Sequence, residues 1–343
     1  MIEFTHGNLL QADVEALVNT VNTAGVMGKG IALQFKQAFP ANFAAYEKAA
    51  KRGEVVAGKM FVFETGAFSN PRYIINFPTK RHWRSKARME DIETGLQDLV
   101  QVLRDKNIHS VAVPPLGCGF GGLDWYEVRP LILSTLESVP EVRALIYPPE
   151  GTPSAEKMKI GTSRPRLTIG RAALIELITK YAMPGYQLTQ LEIQKLAYFL
   201  QAAGERLKLN YVKQQYGPYA ENLHFVLQVL NGHYLTGYGD RSGKANLHLL
   251  QGANEEAEVF LNQYPETKER LERVAQLIQG FETPYGMELL ATVHWLASED
   301  PHVKENPQAA VNGFQSWNQR KRDYFKPEHI YTAWERLRNF GWM

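Results

Sequence analysis

The densest run of reactive side chains is FPTKRHWRSKAR, residues 77–88. Lys80, Arg81, Arg84, Lys86 and Arg88 stand there without an acid, and His82 and Trp83 lie inside the run. Cations meet phosphates and a ring stacks on a base, so this pattern suits a single nucleic-acid strand. A solvated charged surface around a half-buried tryptophan is the competing reading. Two glycine loops add a second chemistry. Gly25, Gly28 and Gly30 crowd the start of a helical segment, and Gly117, Gly119, Gly121 and Gly122 follow the apolar run HSVAVPPL. Glycine lets the backbone approach a ligand, and a helix start offers unpaired N–H groups to phosphate. Neither loop is a Walker loop, because no GK[ST] follows, and neither has the GxGxxG order. One such turn reads equally well as a tight bend. Two, at strand ends of one sheet, favour a diphosphate held between them.

The elements that must position these loops alternate through the first half. Strands are expected over 2–5, 13–19, 59–65, 72–78, 109–116 and 142–147. Helices are expected over 28–38, 41–52, 89–106 and 124–138; in the third, Ile92, Leu96, Leu99, Val100 and Leu103 repeat at helical spacing. This alternation predicts a three-layer α/β/α domain with a mixed sheet. A stretch rich in Pro, Gly, Ser and Thr follows at 148–167. The organisation expected is therefore a first domain over 1–155, a linker over 156–166 and a mainly α-helical domain over 167–343. In that last domain helices are expected over 168–183, 187–206, 217–232, 254–263, 265–281, 286–298, 306–320 and 327–340, with two short β pieces around a Gly-rich turn in 233–250. Thr189 and Glu192 have capping-box spacing.

Bulk properties narrow the classes. With 343 residues the chain suits two domains. A net charge of +2 supplies no global argument for a polyanionic partner, so local clusters must carry it. The single cysteine, Cys118, permits no intrachain disulfide and suits a reducing compartment. The opening MIEFTHGNLLQADVE is not a signal peptide, and no apolar run approaches membrane-spanning length. A cytoplasmic location without a membrane partner is expected. The histidines of the second half, His224, His233, His248, His294, His302 and His329, lack ligand spacing, so neither a metal nor a cofactor is expected.

Residues 7–36 and 114–125, with a V-N-x-x-N segment ahead of the first glycine loop, resemble the macrodomain family. Over the whole chain the sequence is similar to the DNA ADP-ribosyl glycohydrolase antitoxins. In the helical half, LEIQKLAYFL followed by QQYGPY resembles Panacea-type antitoxin domains. The resemblance implies an ADP-ribose site. Asn8 matches the acid that usually contacts adenine, and Tyr147, followed by Pro148, would flank the adenine side. Asn22 would hold the distal ribose, with Gly28, Lys29 and Gly30 beside it and the β-phosphate. Gly117, Cys118, Gly119, Phe120 and Gly121 would wrap the diphosphate. Leu9, Asn19 and Ile31 complete the expected ADP-ribose contacts, and Arg81, His82, Trp83 and Arg84 the expected DNA contacts.

The same resemblance places a catalytic lysine at Lys80. Relatives that pair it with a second-loop aspartate have Gly121 in its place here, with Asp124 three residues on. No pair of acids in the loops suits a two-carboxylate glycosidase. A thymine ring nitrogen can leave as a stabilised imide anion. Lys80 could serve it as an ammonium donor, or attack the ribose carbon as an amine, its basicity lowered by Arg81 and the other cations. The activity implied is hydrolysis of the N-glycosidic bond between ADP-ribose and thymidine in single-stranded DNA. The partners implied are that DNA and a cognate DNA ADP-ribosyltransferase toxin, bound through the helical half. The rival readings are an ADP-ribose reader, a protein de-ADP-ribosylase, and a protein-only antitoxin with a non-catalytic macrodomain. In the helical half, Tyr216-Gly217-Pro218-Tyr219 and the basic-aromatic stretch Trp317, Arg320, Lys321, Arg322, Tyr324 and Phe325 read mainly as bundle packing.

Overall fold

The computed structural model describes residues 1–149, 153–182, 186–242 and 245–343. Met183 of the first expected helix of the second half, and residues 243–244 of the Gly-rich turn, lie outside them. The chain divides into two compact units, one of Met1–Ser163 with Gly239–Gly243, the other of Arg164–Tyr238 with Lys244–Met343.

The first unit runs β1 (Ile2–Phe4), β2 (Ala16–Asn22), α1 (Gly30–Ala38), α2 (Pro40–Lys51), β3 (Phe61–Glu64), β4 (Tyr73–Lys80), α3 (Met89–Asp105), β5 (Ser110–Val113), α4 (Trp125–Leu136) and β6 (Arg143–Ile146). Its six strands pair in the order β1-β6-β5-β2-β4-β3, with β3 antiparallel to β4 and the other pairs parallel. Alternate residues of the central strands face two layers. Ala16, Val18, Ile75, Phe77, Val111 and Val113 pack with Ile92, Leu96 and Leu99 of α3 and Val128 and Ile132 of α4. Leu17, Ile74 and Ala112 pack with Phe35 and Ala38 of α1 on the other face. Each large apolar side chain so buried contributes roughly 1.5–3 kcal/mol. Packing is tight enough that a Cβ on Gly95 of α3 would lie 2.3 Å from the Phe77 ring. The fold class is the one expected, a three-layer α/β/α domain with a mixed sheet and a mainly helical second half.

All six strands differ somewhat from their expected bounds, and two of the differences matter for the site. β2 begins at Ala16 rather than residue 13 and carries Asn19 and Asn22 inside the strand. A central parallel strand is covered on both faces, so burial rather than alternation defines it. β4 continues past Pro78 to Lys80. Proline breaks a sheet ladder, and here the register shifts between Val21 and Asn22, so that Val21 pairs with Pro78 and Asn22 with Lys80. The irregularity absorbs the missing N–H and makes Lys80 a strand residue.

The second unit contains α5 (Ile169–Tyr181), α6 (Gln190–Ala202), β7 (Tyr211–Gln214), β8 (Gly217–Ala220), α7 (Leu223–Leu230), β9 (Leu235–Thr236), β10 (His248–Leu249), α8 (Ala253–Leu261), α9 (Pro265–Ile278), α10 (Pro284–Glu299), α11 (Pro301–Glu305), α12 (Pro307–Gln315), α13 (Gln319–Tyr324) and α14 (Pro327–Asn339). Helices α6 and α10 supply much of its core through Ile193, Leu196, Phe199, Met287, Leu290 and Val293. The capping box forms: Thr189 Oγ1 accepts from the Glu192 N–H and Glu192 accepts from the Thr189 N–H. The expected helix over 217–232 opens as a hairpin strand and is helical only over Leu223–Leu230. Tyr211–Gln214 pairs antiparallel with Gly217–Ala220, and Gly217 takes a φ of +93°, a left-handed value that an L side chain resists.

Candidate active site

The site is built at one edge of the first sheet. Strands β2, β4 and β5 are parallel neighbours, so the segments that follow all three emerge together. These are the first glycine loop, the basic stretch and the second glycine loop. Asn22 organises the first. Its Oδ1 accepts from the N–H groups of Ala24 (3.0 Å) and Val26 (3.3 Å), and its Nδ2 donates to the Val26 carbonyl at 2.6 Å. Buried Tyr46 of α2 braces it, the hydroxyl accepting from the Asn22 N–H and donating to the Asn22 carbonyl. Burial pushes the Tyr46 hydroxyl well above the phenol range, so it stays a donor. Gly30 then opens α1 at φ +59°, with Lys29 extended before it. Within the same unit the Gly30 N–H donates to the Asp240 carbonyl at 2.8 Å, and Gln34 Nε2 donates to the Asp240 carboxylate at 2.7 Å. Among the described residues the N–H groups of Lys29 and Ile31 have no protein acceptor.

The second loop is a compact coil held by its own backbone. The Cys118 N–H donates to the Pro115 carbonyl, the Gly122 N–H to Gly119 and the Leu123 N–H to Gly117, each at 3.1 Å. Gly117 and Gly122 take φ values of +73° and +80°. A Cβ on Gly121 would sit 2.1 Å from the Gly117 carbonyl oxygen, so no side chain fits there. Among the described residues the N–H groups of Gly119, Phe120 and Gly121 have no protein acceptor. That is the donor set an anion requires. The Phe120 ring is 55% exposed and lies against Gly30, where a Cβ would meet it at 3.2 Å. The two loops therefore touch through a ring and a glycine.

Lys80 links the strand to this loop. The Thr23 N–H holds its carbonyl at 3.0 Å, and its Nζ donates to the Phe120 carbonyl at 2.6 Å. Half-burial lowers its basicity below the ordinary lysine range. Arg81 is not the cause expected for this, because its guanidinium is turned to Asp91 in two bonds of 2.9 and 3.2 Å. Asp124 offers Lys80 no dyad, since its carboxylate caps α4 by accepting from the Tyr126 N–H at 2.8 Å. The Cys118 thiol is pushed up to about 11 by burial and by Asp124, so at neutral pH it is protonated and no nucleophile.

With this geometry in place, the comparisons are specific. The Macro domain family matches residues 18–132. The DNA ADP-ribosyl glycohydrolase of Thermus aquaticus is 49% identical over 342 residues, covering 99% of this chain and 94% of that protein. The chain belongs to the DNA ADP-ribosyl glycohydrolase family. A DNA ADP-ribosyl transferase–DNA ADP-ribosyl glycohydrolase fusion protein of Thermosipho africanus is 32% identical over 163 residues, covering 43% of this chain and 42% of its own. The solved macrodomain of Mycobacterium tuberculosis DarG is 59% identical, with a TM-score of 0.43 over 44% of this chain and 99% of that one.

The remaining expected contacts of this family member fall into three groups. Asn8 caps the short 3-10 helix Leu9–Gln11, its Oδ1 accepting from the Leu10 N–H at 3.0 Å, and Nδ2 reaches the Lys157 carbonyl at 3.4 Å. Leu9, Ile31 and Tyr147 pack in one apolar cluster beside α1, with Tyr147 half-buried. Asn19 reaches the first glycine loop from below, its Nδ2 lying 3.8 Å from the Met27 Sδ. It is fully buried, and its Nδ2 donates to Asn76 Oδ1 at 2.9 Å, in a network continued by Asn42 at 2.7 Å. A buried carboxamide requires such partners; the Nδ2 bond joins β2 to β4, while the buried Oδ1 has no hydrogen-bond partner among the described residues. Asn22 spends its side chain on its own loop.

The basic stretch forms a bent loop, with Ser85 Oγ bridging the His82 N–H and carbonyl. Trp83 is 46% exposed, the His82 ring lies 5.5 Å from it, and the Arg84 guanidinium sits 4.4 Å over its face. Sequence reasoning missed Tyr46, Asp91 and Asp240. Tyr46 and Asp91 look like ordinary helix residues, and only the folded chain brings them to Asn22 and Arg81.

Proposed function

We propose that this chain hydrolyses the N-glycosidic bond joining ADP-ribose to thymidine in single-stranded DNA, with Lys80 assisting departure of the base. The single observation that carries the role of Lys80 is its placement across the site, strand-held at its backbone and bonded at Nζ to the carbonyl of Phe120. Family membership supports the substrate class. The bond between the ribose anomeric carbon and the thymine nitrogen breaks, its electron pair leaves with the base, and water adds to the carbon and releases a proton. An ammonium has three donors. One is held by Phe120, and the others are available to the developing negative charge on thymine. The free N–H groups of Gly119, Phe120 and Gly121 support a diphosphate there, and Trp83 with Arg84 supports a flanking base and phosphate.

The helical half is proposed to bind the ADP-ribosyltransferase that writes the mark. The Thermosipho africanus fusion protein, named for both activities, supports such a pairing. No helix among the described residues is long and apolar enough to cross a membrane. The test of the reaction is a single-stranded oligonucleotide carrying ADP-ribose on thymidine, with an ADP-ribosylated protein in parallel. Release from the oligonucleotide is expected. Tight binding of ADP-ribose without release would make the domain a reader, and release from protein alone would overturn the DNA assignment. A covalent adduct trapped by cyanoborohydride would replace the ammonium route with amine attack.

A further inference from the structure

The second unit displays a ladder of rings and a guanidinium that the proposed reaction does not use. Tyr216, at the tip of the β7–β8 hairpin, is 44% exposed, and Tyr324, at the end of α13, is 56% exposed. Arg320 of α13 joins them, its guanidinium carbon 4.7 Å from the Tyr216 ring centre and 5.1 Å from that of Tyr324. Aromatic side chains left this open normally swing freely, but these are held. Buried Glu288 grips Arg320 in two bonds of 2.7 and 3.1 Å. The hairpin tip is pinned from the turn between α12 and α13 by Trp317 Nε1 on the Gln214 carbonyl at 2.9 Å and Asn318 Nδ2 on the Gln215 carbonyl at 3.0 Å. Tyr324 is braced edge-on by Tyr285 and Phe325 at 5.3 and 5.2 Å. Cations border the ladder. Lys213 lies 4.4 Å over the Trp317 ring, and Lys326 is exposed two residues past Tyr324, whereas Arg322 is turned to the Gln315 carbonyl at 3.4 Å. The neighbouring acid, Asp323, accepts from Gln319 in two bonds of 2.9 Å.

Such a surface selects its partner by chemistry. Rings fixed in advance lose little entropy on binding, and every base has a π-face to lay on them. A duplex keeps its bases stacked inside. An acidic peptide would meet the cations but leave the tyrosine faces in water. We propose that the Tyr216–Arg320–Tyr324 ladder binds a single nucleic-acid strand, with bases stacked on the two tyrosines and phosphates held by Lys213 and Lys326. This extends the proposed function, on which it rests only for the choice of DNA over RNA.

The test is fluorescence anisotropy of unmodified oligothymidine with the full-length chain. It is run in a Trp83→Ala, Arg84→Ala background, so that the remaining affinity reports the ladder. Adding Tyr216→Ser and Tyr324→Ser is expected to weaken binding at least about fivefold, the low end for loss of one stacked base. Lys213→Glu with Lys326→Glu is expected to weaken it further and to flatten its dependence on salt. Circular dichroism melting confirms that each variant is folded. Equal affinity of the folded tyrosine variant would overturn the proposal, as would displacement of the strand by polyglutamate at matched charge. Release of ADP-ribose from a modified single-stranded oligonucleotide by the unaltered chain is measured separately. Its failure would sink the proposed reaction and leave the ladder standing.

Discussion

Lys80 in the first unit and Lys195 in the second make the same bond. Each Nζ donates to a backbone carbonyl at 2.6 Å, that of Phe120 in one case and Pro218 in the other. Burial lowers the basicity of both. Their surroundings differ in kind. Lys195 is 1% exposed and lies near a second buried lysine, Lys321, which donates to Glu288 at 2.7 Å and Thr292 at 3.0 Å. The hairpin closes over it so tightly that a Cβ on Gly217 would sit 2.7 Å from Thr292 Oγ1. Burial, helped by the Lys321 charge, brings Lys195 to about 7. Lys80 ends a strand at the edge where two glycine loops emerge, and donors without protein acceptors stand beside it. A depressed lysine therefore marks a functional site only where a reacting group has room to reach it. The more perturbed of the two amines is the structural one.

The predictions sharpen that contrast. The largest effect belongs to Lys80→Ala, which should slow single-turnover release of ADP-ribose by about 10²–10⁴-fold, the span for loss of a positioned proton donor. Lys195→Met should leave the rate per folded molecule unchanged in the same assay. Next comes Gly121→Ala. Its methyl would meet the Gly117 carbonyl at 2.1 Å, so the second loop must open. Calorimetry should show free ADP-ribose bound roughly 10- to 100-fold more weakly, in line with an overpacking cost of about 1–3 kcal/mol. Gly119→Ala, whose methyl meets nothing within 4 Å, should lose less.

Smaller again is the basic loop. Trp83→Ala should weaken binding of an unmodified oligonucleotide about fivefold, for one lost stacking face. Arg84→Ala should flatten the salt dependence by about one phosphate contact. Arg81→Ala should flatten it less, because Asp91 already holds that guanidinium. The smallest effect on the reaction, and a clear one on stability, concerns Lys195. Its folded value is about 7 against an ordinary 10.5. Between those values the unfolded chain binds the extra proton, so stability should rise with pH across that window and be lowest below it. Urea titrations at pH 7 and pH 10 should show this rise, and Lys195→Met should flatten it. An unchanged slope in the variant would mean that Lys195 is not the group responsible.

Much of the fold was legible because its signals are local. Apolar spacing in α3, the glycine punctuation around both loops and the box of Thr189 and Glu192 each report on a few neighbouring residues. What was illegible depends on distant partners. Pro78 argued for a strand ending there, and only the shifted register against β2 lets β4 carry Lys80. A strand was expected over 13–19, but its continuation to Asn22 was not, and nothing local shows that Asn19 bonds Asn76. The hairpin at Tyr211–Ala220 was hidden because QQYGPYA carries no common two-residue turn signal, and its glycine is explained only by Lys195 and Thr292 beneath it. At the site itself, the glycine loops and Lys80 stood out by residue type. The carbonyl that receives the lysine was invisible, since every residue has one.

The most direct test of the account uses one modified single-stranded oligonucleotide with the full-length chain and its Lys80→Ala variant, measuring the single-turnover rate and the dissociation constant on the same samples. The account predicts a rate lower by about a hundredfold or more with the dissociation constant essentially retained. An unchanged rate, or an affinity that falls in step with the rate, would contradict it and reduce Lys80 to a binding contact.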